Sequence, residues 1–258
     1  MPTYRLVVEY DGTAFRGLQY QPPPLRTVAG SLESALARLF PDAPKITAAG
    51  RTDAGVHATG QVVSFASERG FPIERLGLAL NANTPPDLVV RAAELADDAF
   101  SARFDALERV YDYLVLDRPA PSALWRARAW FVPRTIDLER LAAAAAPLHG
   151  EHDFVSYCGE LPERGGTVRE VREIRAERDG ALLRITVRGN AFLHRMVRVI
   201  VGTLVACATG YREIGFAGAA LAARDREAAG PTAPAHGLYL AGVRYADLDT
   251  YRPTRLAP

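Results

Sequence analysis

The chain has 258 residues, 48% of them hydrophobic, and its 31 basic and 30 acidic side chains leave a formal net charge of +1. That length and apolar content bury a substantial core, as one large domain or two small ones, nothing suggests disorder, and there is no overall basic excess. Any phosphate-binding surface must therefore be a local concentration of arginines, which supply all the basic residues except Lys45.

Cys158 and Cys207 have no metal-ligand spacing and are too few for a disulfide framework, and no apolar run approaches a membrane span. The expectation is a soluble, cytoplasmic protein without a membrane partner. Tyr4, Leu6, Val8 and Tyr10 alternate with Thr3, Arg5 and Glu9, the period of a half-buried strand, which ends at Asp11-Gly12. Three prolines at 22–24 stiffen the next connection, and Thr27 caps a helix with the stripe Val28, Leu32, Ala35, Leu36 and Leu39. A short strand over Lys45 to Ala48 leads into Gly50-Arg51-Thr52-Asp53-Ala54-Gly55-Val56-His57, and a further strand is predicted over Gln61 to Ala66.

Glycines at 50, 55 and 60 mark a loop that folds tightly or lets something approach its backbone. Asp53 has Arg51 two residues away, and a neighbouring guanidinium favours the ionised carboxylate that a nucleophile or general base requires. A surface ion pair in a turn is the competing reading of the same residues.

Pro72 starts a second helix carrying Leu76, Leu78 and Leu80, and Asp87 to Ala93 returns as a strand. The pattern breaks over Asp97 to Asp105, where the boundary between two halves, 1–104 and 105–258, is placed. Arg109 to Leu116 reads as a strand with Tyr111, Tyr113 and Val115 on one face, and Tyr113 is open to a core role or a functional one. Trp130 to Pro133 is another strand, and Asp137 caps an alanine-rich helix ended by Pro147 and Gly150. His149, His152 and Asp153 are of ligand type, but without a helix to set their spacing they are read as structural, not as a metal site.

Asp179-Gly180 between Val168–Arg178 and Leu182–Arg188 signals a hairpin, with a self-paired charged face on its first strand. A long helix is predicted from Phe192 through Gly202, with Arg195 and Arg198 one turn apart on its surface. A second helix over Glu213 to Ala222 and a strand ending near Tyr245 complete the pattern.

The string GRTDAGVHATGQVVSF, residues 50–65, closely resembles the signature loop of the tRNA pseudouridine(38-40) synthases, which act on the anticodon arm. Asp11 to Gln21 resembles that family's N-terminal motif, with Leu18 where a tryptophan is usual; Phe100 to Phe104, Phe192 to Gly202 and Thr232 to Leu240 are similar to further family segments.

The resemblance implies an α/β (α+β) fold of two similar ferredoxin-like or RNA-recognition-like subdomains, whose mixed, mainly antiparallel sheets join into one larger sheet. It implies an isomerase that turns uridine into pseudouridine in the anticodon stem-loop of tRNA, with no cofactor and no metal. Asp53 falls on the family's catalytic aspartate in the first half. In the second half Tyr111 matches the tyrosine stacked against the target base, and Arg198 the arginine expected to reach the carboxylate. Arg51 and Arg198 are the cations for carboxylate and phosphate, tRNA is the partner, and a homodimer is the expected assembly.

Read from the residues alone, two other classes stay open: an RNA-binding module in which Asp53 is dispensable, and a hydrolase in which Glu9 or Asp11 supplies a second carboxylate. Attack at ribose C1′ and attack at base C6 are both open to a single aspartate.

Overall fold

The computed structural model describes residues 1–254, which form two compact units: Met1–Arg109 with Tyr239–Pro253, and Val110–Leu238 with Thr254. The sequence reading places one boundary at residue 104, whereas the chain leaves the first unit after Arg109 and its last strand returns there. Residues 255–258 of the expected second half lie outside the described residues.

The first unit runs β1 (Thr3–Tyr10), α1 (Val28–Leu39), β2 (Thr47–Ala48), β3 (His57–Ala66), α2 (Ile73–Asn81) and β4 (Leu88–Ala96). β1 is central and antiparallel to both β3 and β4, and β2 lies antiparallel along β3. Thr27 caps α1 by accepting the Gly30 N–H, and Val28, Leu32, Ala35 and Leu36 are buried. Tyr4 stacks on Phe65, its cross-strand partner, at 4.8 Å, and Phe40 sits edge-on to Tyr4 at 5.5 Å and to Phe65 at 5.3 Å. Such ring pairs add about 0.5–1.5 kcal/mol each beyond their burial.

On α2 the buried residues are Leu76 and Leu80, four apart, whereas Leu78 between them is 75% exposed. Arg5, read as a solvent-facing residue of β1, is buried: it pairs with Glu94, opposite it on β4, and with Asp247, under the rings of Phe100 and Tyr245. Asp247 is held below the usual carboxylate range by that guanidinium.

In the second unit the elements are β5 (Glu108–Asp117, from Val110 onward), β6 (Trp130–Val132), α3 (Leu138–Ala145), β7 (Gly150–Asp153), β8 (Val168–Asp179), β9 (Leu182–Gly189), α4 (Met196–Ala208) and α5 (Phe216–Ala223). The sheet order is β5-β9-β8-β7, with β6 parallel to β5. With β6 and β7 set aside as additions, β5, α3, β8, β9, α4 follows the strand-helix-strand-strand-helix order of the first unit, and both units have an α+β character.

Asp137 caps α3 through the N–H groups of Glu139 and Arg140, and Asp179 pairs with Leu182 around Gly180 at φ +57°. Charges of β8 pair within the strand, as in Arg172–Glu170 at 2.8 Å and Arg175–Glu177 at 2.9 Å, and across to β9, as in Arg188–Glu173 at 2.8 Å. His149 Nε2 accepts the Ile174 N–H at 3.1 Å, and the His152 ring meets the His149 carbonyl at 2.8 Å, so both rings brace local chain. α4 is buried nearly all round, the mark of a central helix.

The final strand, β10 (Leu238–Arg244), runs parallel to β3 from Tyr239. Beyond it the Tyr245 hydroxyl donates to Ala102 O, and Thr250 Oγ1 to Gly60 O, fixing the returning segment to the first unit. Among the described residues no helix is long and apolar enough to cross a membrane.

Candidate functional site

The loop that carries Asp53 is braced along its whole length. At its start the Gln61 side chain donates to Gly50 O at 2.7 Å; in the middle Tyr10 Oη and Thr52 Oγ1 bond at 2.8 Å in the interior. Burial pushes the Tyr10 hydroxyl up to about 12, so it is a neutral partner throughout the physiological range.

The loop after β1 packs against this one through two main-chain bonds and one to an imidazole. Leu18 N–H donates to Thr52 O at 3.0 Å, Gly55 N–H to Phe15 O at 3.3 Å, and Gly12 N–H to His57 Nδ1 at 3.0 Å. A side chain at Gly12 would bring its Cβ within 1.9 Å of Val56 O, so only glycine permits this approach. Gly55 turns the chain at φ +80°, a left-handed conformation that costs glycine little. His57 is 2% exposed and stacks on Tyr239, so β3 begins inside the motif, four residues before the predicted Gln61. Leu18 is itself buried, an apolar anchor beside its hydrogen-bonded main chain.

On this support Asp53 is half-buried and Arg51 is exposed, so a ligand can approach both from solvent. Glu9 is exposed and pairs with Arg91 at 3.5 Å, and Asp11 accepts from Thr13 N and Oγ1, so each has a local structural role.

In the second unit Tyr111 is 7% exposed and meets Phe192 edge-on, with ring centroids 5.2 Å apart. Tyr113 is fully buried: its hydroxyl donates to Pro234 O at 2.7 Å, burial raises its pKa, and a Cβ at Gly237 would lie 2.7 Å from its ring. That settles Tyr113 as a core residue. Tyr113→Phe leaves the Pro234 carbonyl without this donor, and is expected to cost about 1–2 kcal/mol, a fall of roughly 2–6 °C in Tm by calorimetry.

Arg198 stands in the first turn of α4, where its Nε donates to Ala233 O at 2.8 Å while its own carbonyl accepts the Ala233 N–H at 3.0 Å. It thereby fixes the chain at Ala233, within the segment over Thr232 to Leu240 that is similar to the family.

The helix begins at Met196 and not at Phe192. Arg195 precedes it in a left-handed conformation, φ 59° and ψ 6°, and no capping side chain marks the start. The two arginines are thus not one turn apart on a helix surface. A non-glycine residue in that region costs about 1–2 kcal/mol, and such strain gathers at functional positions. The roles of Tyr10, Thr52, Gln61 and Phe192 were not singled out by sequence reasoning; Tyr10 and Thr52 meet each other, Gln61 a backbone carbonyl and Phe192 a ring, partners that only the fold brings near.

A family model described as tRNA pseudouridine synthase matches residues 6–105 and 144–246. The chain belongs to that family. The match covers the Asp53 loop and Arg198, and leaves out 106–143, which hold Tyr111. Among curated relatives, the chain is 42% identical over 248 residues to "tRNA pseudouridine synthase A" of Caulobacter vibrioides, covering 96% of this chain and 100% of that one. It is 44% identical over 247 residues to the protein of the same name from Paramagnetospirillum magneticum (95% and 96% covered), and 42% over 245 residues to that from Bacillus subtilis (93% and 98%).

Proposed function

We propose that this chain isomerises uridine to pseudouridine at positions 38 to 40 of the tRNA anticodon stem-loop, with Asp53 as its catalytic carboxylate and without metal or cofactor. The observation that carries the reading is a half-buried aspartate on a loop locked at Gly50, Thr52 and Gly55, within a family signature that extends through β3.

The reaction breaks the bond from C1′ to N1, turns the uracil and forms a bond from C1′ to C5; C5 gives up its proton and N1 takes one up, with no net oxidation or hydrolysis. It needs a carboxylate at the nucleotide, an aromatic surface for the freed base, and cations for phosphate. In this reading the first half, 1–104, supplies Asp53 and Arg51, and the second half, 105–258, supplies Tyr111 and Arg198. The target leaves its stack at a cost of a few kcal/mol, which stacking and arginine contacts offset. Asp11 and Glu9 are occupied locally, which favours one carboxylate over the pair a hydrolase uses. Incubation with uridine-containing tRNA is expected to release no free uracil; uracil release without pseudouridine would assign a hydrolase.

Tyr111→Phe keeps the ring and its edge contact with Phe192 and removes only the hydroxyl. Turnover is expected to fall while tRNA affinity holds. Equal turnover would restrict Tyr111 to stacking, and equal turnover by Tyr111→Ala would remove it from the site.

The working assembly in this reading is a cytoplasmic homodimer with tRNA across both subunits, since a chain of net charge +1 gains phosphate-binding surface by pairing two arginine-bearing faces. Light scattering at micromolar concentration is expected to give the dimer mass; monomer alone, with and without tRNA, would refute it.

A further inference from the structure

Both tryptophans of the chain line one cavity of about 260 Å³ in the second unit. Trp125, Trp130, Phe131 and Leu116 provide its aromatic and apolar walls, and Arg126 and His236 its polar ones. The three aromatic residues are half-buried, so part of each stays open to a ligand.

The cavity is built rather than incidental. Ser122 Oγ accepts the N–H groups of Leu124 and Trp125, Trp125 O accepts those of Arg128 and Ala129, and Trp130 sits edge-on to the buried ring of Tyr113 at 6.2 Å. Leu116 lies five residues along β5 from Tyr111, roughly 17 Å on an extended strand, so this is a different place from the Tyr111 ring.

Charge identifies the ligand class. From Arg118 to Ile136 the sequence holds four arginines, at 118, 126, 128 and 134, and no acidic residue, and all four are exposed. In a chain of net charge +1 this is a local run of guanidinium forks in the segment that carries both indoles, with Arg126 in the cavity lining itself. The volume is just below the roughly 300–1,000 Å³ of drug-sized ligand pockets, and suits one flat ring system.

We propose that this cavity receives an unpaired nucleobase of the RNA substrate, stacked on an indole, while Arg126 in its lining and the exposed arginines of the same segment hold the adjoining phosphates. Aromatic stacking of this kind is the common mode by which proteins hold unstacked bases. Burial lowers the pKa of His236, so charge recognition rests with the arginines. The inference rests on the reading that the substrate is tRNA.

The test uses tryptophan fluorescence, which reports on this cavity alone because no other tryptophan is present. Addition of unmodified tRNA transcript, or of a short oligouridine, is expected to protect the emission from acrylamide quenching in a saturable way. Trp125→Ala is expected to lower kcat/KM about tenfold through KM, so that the loss of rate seen at low tRNA shrinks toward saturation, and Trp125→Phe to retain most of the parental kcat/KM.

Undiminished quenching on saturation with tRNA, or an unchanged kcat/KM in Trp125→Ala, overturns the proposal. So does conversion of a dimer to monomer by Trp125→Ala, which would make the cavity an interface between copies. Protection by oligouridine in a protein that forms no pseudouridine would leave the cavity standing and remove the functional reading instead.

Discussion

Asp53→Asn is expected to abolish pseudouridine formation while leaving the fold and tRNA binding intact. The amide keeps the shape and much of the hydrogen bonding of the carboxylate but carries no charge, so it serves neither as nucleophile nor as base. The loop has fixed points that do not involve this side chain: Gln61 on Gly50, Tyr10 on Thr52, and the main-chain bonds from Leu18 and Gly55. Arg51 remains exposed and available to phosphate. Affinity for tRNA should therefore hold within about threefold, under 1 kcal/mol. A structural role for Asp53 predicts a different result, in which the thermal transition, affinity and activity fall together.

Gly12→Ala should produce the second largest effect, from a position that bears no functional group. Its Cβ would lie 1.9 Å from Val56 O and 2.5 Å from Val56 C, so the main chain of the Asp53 loop has to move. Crowding of that kind costs about 1–3 kcal/mol of stability. Displacement of a reacting group by about 1 Å costs on the order of 10²-fold in rate. The expected outcome is a folded protein with a modestly lower Tm and about a hundredfold loss of turnover. Gly77→Ala on α2 is the control, since nothing lies within 4 Å of the added carbon. It should keep parental turnover and gain up to about 1 kcal/mol. Parental turnover in Gly12→Ala would mean that the placement of the loop is not what the chemistry depends on.

Local signals in the sequence carry most of the elements. The alternation of Tyr4, Leu6, Val8 and Tyr10, the caps at Thr27 and Asp137, and the turn at Asp179-Gly180 involve neighbours within a few residues, and each has its structural counterpart. What depended on distant partners was not legible. Arg5 is buried because Asp247, 242 residues away, meets it, and Tyr113 is a core residue because Pro234 lies 121 residues further on. The start of α4 was misplaced because an apolar run continues through Phe192 and Leu193 while the break is a left-handed arginine without a side-chain cap. The Asp53 loop was legible as a motif, but the reason it holds its shape lies in β1, the loop after it, and Gln61 on β3.

Mass-spectrometric mapping of pseudouridine in an unmodified tRNA transcript, before and after incubation with the purified protein in the presence of a chelator, tests the central claim most directly. New pseudouridine is expected at positions 38 to 40 with the parent protein and none with Asp53→Asn. Unaltered uridines at those positions with the parent protein, or equal conversion by a folded Asp53→Asn protein, would contradict it.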